Sequence, residues 1–156
     1  MCVRMQKGGT DMAAPQFSTF SPKHNRSKPR RHFTLQEANR SLPLVTRIVR
    51  DIVNTHERAA QLQAKLDQSC TANETSAVQG QLEQNLGRLR DYVQELDGVG
   101  VELKDFETGL IDFHGRHQGR DVFLCWRLGE EKVEHWHELH TGYSARQPVD
   151  TLEEGA

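Results

Sequence analysis

From Val45 to Leu66 the apolar residues Val45, Ile48, Val49, Ile52, Val53, Ala59, Ala60, Leu62 and Leu66 recur mainly at three- and four-residue steps, with Arg47, Arg50, Asp51, Glu57 and Arg58 between them. This spacing predicts a long helix with one packing face. A second run, Leu82, Leu86, Leu89, Val93 and Leu96, alternates steps of four and three, the period of a coiled-coil seam. The polar stretch Ser69 to Ser76 separates the two, so they are expected to fold back antiparallel and bury their stripes against each other.

Local signals set the expected ends. Thr34 and Glu37 form a capping box at the entry. Ser41-Leu42-Pro43 reads as a second start, since Ser caps well and Pro belongs in a first turn. Gly98 reads as the glycine that ends the second helix.

Beyond Gly100 the period changes to two. Val101 to Leu103, Gly109 to Phe113, Asp121 to Arg127 and Lys132 to Glu138 read as strands joined by Gly- and Asp-containing turns. The third is apolar on both faces, through Val122, Leu124 and Trp126 on one and Phe123 and Cys125 on the other, which places it centrally. With a tight turn at Leu128 to Glu131, Leu124 falls opposite His135, Val122 opposite His137, Phe123 opposite Trp136 and Cys125 opposite Glu134. A slip of one residue would exchange the faces.

The fold class is therefore α+β: a long, coiled-coil-like antiparallel helical hairpin followed by a small antiparallel meander of three to four strands. The expected organisation is a basic, disordered tail at 1–31, one domain at 32–149 and a short disordered tail at 150–156. Within the domain the hairpin takes 34–97, the meander 100–139 and a loop 140–149.

Charge sharpens the picture of the tail. Residues 1–31 carry seven Lys/Arg against Asp11, so the tail is positive and the body negative within a net charge of -2. Lys23, Arg26, Lys28, Arg30 and Arg31 offer contacts to phosphates, and residues 23–31 are the nucleic-acid alternative for this chain. No apolar run reaches the roughly 18–20 residues that cross a bilayer, and no secretory h-region is present. Cys2, Cys70 and Cys125 fit neither a disulfide framework nor a CxxC zinc site. A cytoplasmic protein without a membrane partner is expected.

The segments Gly100 to Asp105, Gly109 to Phe113, Leu124-Cys125-Trp126-Arg127-Leu128-Gly129-Glu130, Trp136-His137-Glu138 and Gly142 to Arg146 are distinctive together. On them the chain resembles an uncharacterised prokaryotic family, domain of unknown function 2203, over about residues 32–149. The resemblance implies a fold and a bacterial-type intracellular protein, and no reaction, cofactor or partner. His114 departs from the family pattern, in which a proline is expected after Phe113.

Candidate chemistry lies in the C-terminal third, which holds His114, His117, His135, His137 and His140. His135 and His137 share a strand face with Cα atoms roughly 6 to 7 Å apart, a spacing at which two imidazoles can hold one transition metal. The register above leaves no carboxylate beside them. Asp112, Arg127, Glu130, Glu138 and Arg146 can form a polar pocket rimmed by Trp126, Trp136 and Tyr143. Cys125 reads as a small buried hydrophobe. Phosphate loops, nucleophile elbows and HExxH motifs are missing from the sequence, and adjacent residues such as His137 and Glu138 face opposite ways in a strand. The leading expectation is a non-catalytic interaction module that docks a protein partner or a second copy of itself. The alternative is a metal-binding protein or metal-dependent enzyme.

Overall fold

The computed structural model describes residues 31–155. The basic cluster at 23–31 thus lies outside the described residues, apart from Arg31. Two helices, α1 (Leu35–Gln68) and α2 (Ala72–Val99), lead into five strands, β1 (Val101–Asp105), β2 (Leu110–His117), β3 (Arg120–Arg127), β4 (His135–Glu138) and β5 (Gln147–Pro148). The sheet order is β1-β2-β3-β4-β5, antiparallel throughout. The arrangement is the expected α+β fold with one strand more than the meander was given.

The capping box forms: the Glu37 amide donates to Thr34 Oγ1 at 3.1 Å and the Thr34 amide to Glu37 Oε2 at 3.2 Å. The expected break at Ser41-Leu42-Pro43 does not. α1 runs through Pro43, buried along one face by Ala38, Leu42, Val45, Ile48, Val49 and Ile52. Pro43 removes one hydrogen bond, and burial of this stripe outweighs that loss. Only Ser69 to Thr71 separate the helices, because Thr71 caps α2 by accepting from the Glu74 amide at 3.1 Å. Gly100 at φ 94°, and not Gly98, is the left-handed residue ending α2.

Two hydrophobic clusters result. Ala59, Leu62 and Leu82, with Leu66, Val78 and Leu86 beside them, join the helices to each other at the far end of the hairpin. Near the sheet, Val45, Ile48, Val49 and Ile52 of α1 and Leu89, Val93 and Leu96 of α2 pack on Val101, Leu103, Ile111, Phe113, Val122, Leu124, Trp126 and Trp136. Gly109 sits where sheet meets helix, at φ 70°, and a Cβ there would lie 2.8 Å from both Leu128 Cβ and Val49 Cγ1. Gly109→Ala is expected to destabilise the protein by about 1–3 kcal/mol in urea denaturation, through strain and overpacking.

The β3–β4 register differs from the expected one by one residue. Phe123 pairs with His137, Leu124 with Trp136, Cys125 with His135 and Val122 with Glu138. β4 begins only at His135, so no tight turn dictates the pairing. Burial does so instead. Trp136 and Val133 are 2% and 1% exposed, and this register sends the Trp136 ring into the helix-covered core beside Leu124. The Val133 amide is fixed separately, donating to Asn39 Oδ1 of α1 at 2.7 Å.

The segment after β4 is also more structured than a loop and tail. Gln147–Pro148 adds β5 next to β4, and Tyr143–Ala145 and Val149–Thr151 form short helical turns. The Trp136 indole donates to Thr151 Oγ1 at 3.0 Å, the Glu153 amide to His117 Nδ1 at 2.9 Å, and the Leu35 amide to Glu154. Among the described residues no helix is long and apolar enough to cross a membrane.

Candidate metal centre

With one sheet face given to the helices, the other carries the side chains paired across the register Glu102–Asp112–Cys125–His135 and His114–Phe123–His137. Although the helical layer lies on the opposite side, Asp112, Cys125, His137, Phe123 and His114 are all buried. Neighbouring side chains cover them. Lys104 lies over the Phe123 ring, with Nζ 4.7 Å from its centroid, and is held by Glu102 at 2.7 Å. His114 Nε2 contacts the other Glu102 oxygen at 3.2 Å.

Asp112 on β2 and His137 on β4 are separated by the whole of β3, roughly 10 Å of sheet. They meet on a diagonal across β3, where Asp112 is paired with Cys125 and His137 with Phe123, and the short Cys125 side chain leaves room for the contact. His137 Nε2 lies 3.1 and 3.2 Å from the two Asp112 carboxylate oxygens. Its Nδ1 lies 2.8 Å from the Glu138 carbonyl oxygen. A carbonyl only accepts, so Nδ1 carries hydrogen and donates, which turns Nε2 toward Asp112 and Cys125.

One ligand atom from each of Asp112, Cys125 and His137 lies within 4.8 Å of the other two, and all three residues are buried. Burial alone would lower the His137 pKa, but the hydrogen bond to Asp112 and the charge of that carboxylate outweigh it and raise the value. Burial, reinforced by the charge of Asp112, pushes the Cys125 thiol up to about 12, while Arg146 pulls the other way.

Glu130 organises the adjoining end of this face. Its side chain accepts from the Arg127 amide at 2.8 Å and from Arg146 Nη2 at 2.8 and 3.1 Å, while its carbonyl accepts from the Trp126 indole at 3.0 Å. The Arg146 guanidinium lies 4.6 Å and that of Arg127 5.6 Å from the Tyr143 ring centroid. His135 Nδ1 lies 3.8 Å from Glu130 Oε2.

The sequence-derived pocket is therefore divided. Asp112 and His137 come together, and Arg127, Glu130, Tyr143 and Arg146 form a group beside them. Trp126 and Trp136 do not rim a pocket, being 1% and 2% exposed in the helix-covered core. Glu138 turns to the sheet margin, where Arg120 Nε meets both its oxygens at 3.2 Å. The carboxylate that the slipped register kept away from the histidines is Asp112, contributed by β2 and not by the β3–β4 hairpin. Cys125 was the residue missed. The signal for it lay in Gln118-Gly119, whose positive φ angles of 50° and 79° make the two-residue turn that sets Asp112 opposite Cys125.

The model of a family described as Uncharacterized conserved protein (DUF2203) matches residues 31–149, most of the chain. No curated protein and no solved structure matches.

Proposed function

We propose that this chain, which belongs to the family of uncharacterized conserved proteins DUF2203, is a transition-metal-binding protein that holds one ion between Asp112, Cys125 and His137. The observation that carries this reading is the convergence of a carboxylate, a thiol and an imidazole, all buried, within 4.8 Å on three adjacent strands. A mixed oxygen, sulfur and nitrogen set suits zinc, whereas magnesium and calcium take oxygen donors. Bonds of about 2.0–2.3 Å to a shared ion would draw the three atoms together only slightly.

The surroundings fit a ligand set. The Glu138 carbonyl fixes the His137 tautomer with Nε2 as the liganding nitrogen, the outer-shell support that metal-binding histidines use. The ion would take the place of the hydrogen bond that joins His137 Nε2 to the Asp112 carboxylate. Near-complete burial of the donors favours a held ion over turnover of a substrate, so the reading is non-catalytic. The heptad seam is buried against α1 and both Trp rings lie in the core, so the features that suggested a docked protein partner are engaged within the chain.

Elemental mass spectrometry of untagged protein purified without chelator tests the proposal. About one zinc per chain is expected, and much less than one in both Cys125→Ser and His137→Ala. Metal-free wild-type protein that also fails to take up zinc in equilibrium dialysis would overturn it.

A further inference from the structure

We infer that His135 is the fourth ligand of this centre, closing it as an Asp112–Cys125–His135–His137 site with no position left for water or substrate. The inference rests on the metal reading above. It turns on a different observation: His135 Nδ1 is buried without a hydrogen-bond partner.

A buried imidazole nitrogen left unpaired costs free energy, and such atoms are uncommon unless a water or ion satisfies them. His135 is not among the three residues whose ligand atoms already lie within 4.8 Å of one another, so its partly exposed side chain would turn in from beside them. It is the direct cross-strand partner of Cys125 on β4, as Asp112 is on β2. Opposed side chains in an antiparallel pair have Cβ atoms roughly 4.5–5.5 Å apart. Cys125 is therefore flanked on this face by Asp112 on one side and His135 on the other. His137, two residues along β4, points to the same face and already reaches across to Asp112.

Glu130 is the carboxylate beside His135, and its oxygens are committed to Arg146 and the Arg127 amide. Its Oε2 stops 3.8 Å from His135 Nδ1, beyond hydrogen-bond distance, so it does not engage that nitrogen. Two imidazoles, one thiolate and one carboxylate make a four-coordinate set of the closed, structural type. A three-ligand centre keeps an open position where small anions bind.

Cobalt(II) replaces zinc as a spectroscopic probe, added to the full chain and titrated with azide. The wild-type complex is expected to show the intense visible bands of a four-coordinate ion, unchanged by azide. His135→Ala is expected to bind one cobalt at least about tenfold more weakly, with bands that azide now shifts. Wild-type bands that azide shifts would overturn the fourth-ligand assignment while leaving the three-residue site standing, and this arm does not depend on the variant folding. Failure of the wild-type chain to bind cobalt or zinc at all would remove the metal reading itself and the inference with it.

Discussion

Alanine at Asp112 is expected to cost the metal-free protein about 3–5 kcal/mol in urea denaturation, a large share of the 5–15 kcal/mol that holds a domain of this size. The side chains of Asp112 and His137 are 2% and 4% exposed, and His137 Nε2 has both Asp112 oxygens as its partners. Removing the carboxylate leaves the imidazole buried with that nitrogen unpaired, and the imidazolium form loses its counter-charge. His137→Ala should cost a similar amount for the converse reason. The double variant Asp112→Ala/His137→Ala should cost clearly less than the sum of the two, because neither group is then left alone. Additive single effects below about 1 kcal/mol would show that the two groups are not coupled in the folded protein.

The second large effect is expected at Trp126. Its ring is 1% exposed within the cluster that joins both helices to the sheet, so Trp126→Ala removes a large side chain that its neighbours cannot fully replace. Losses of about 3–5 kcal/mol are usual for such a truncation. The indole also donates to the Glu130 carbonyl at 3.0 Å, and Glu130 in turn holds Arg146. The change should therefore loosen the turn beside the Asp112–Cys125–His137 cluster as well as the core. Trp126→Phe retains most of the ring and loses the donor. It is expected to recover most of the stability in chemical denaturation, and recovery no better than alanine would assign the effect to the hydrogen bond instead of packing.

Much of this architecture was legible in the chain because it follows from periodicity. The stripe from Val45 to Leu62 and the seam from Leu82 to Leu96 each find the burial their spacing implies, and Thr34 and Glu37 make the cap their identities suggest. At Pro43 a local rule about first turns competes with a continuous apolar face, and the face prevails. β4 was misplaced by one residue because the β3–β4 connection carries no tight turn. The choice between faces is settled by Trp136, which only the assembled core can show to lie inside.

The site was legible in part. Asp112 and His137 were singled out by residue type, but their meeting depends on two strand registers at once. The apolar chain neighbours of Cys125 suggest a packing role, yet alternation puts those neighbours on the opposite face. The face it occupies belongs to Asp112, His135 and His137. Its small size, read in the sequence as a packing property, leaves room on that face for Asp112 and His137 to meet diagonally across β3.

An ion held by Asp112, Cys125 and His137 would take the place of protons already bound there, since a metal requires a thiolate and a free Nε2 lone pair. Calorimetric titration of zinc into the metal-free chain at pH 6, repeated in buffers of different ionisation enthalpy, counts them. Below the ordinary histidine value of about 6.5, His137 with its raised pKa holds a proton, and Cys125, pushed up to about 12, holds another. Binding should release about two protons per zinc, falling toward one as the pH is raised past the His137 value. Zinc uptake with no release of protons would place the ion elsewhere on the chain and contradict a centre built from Cys125 and His137.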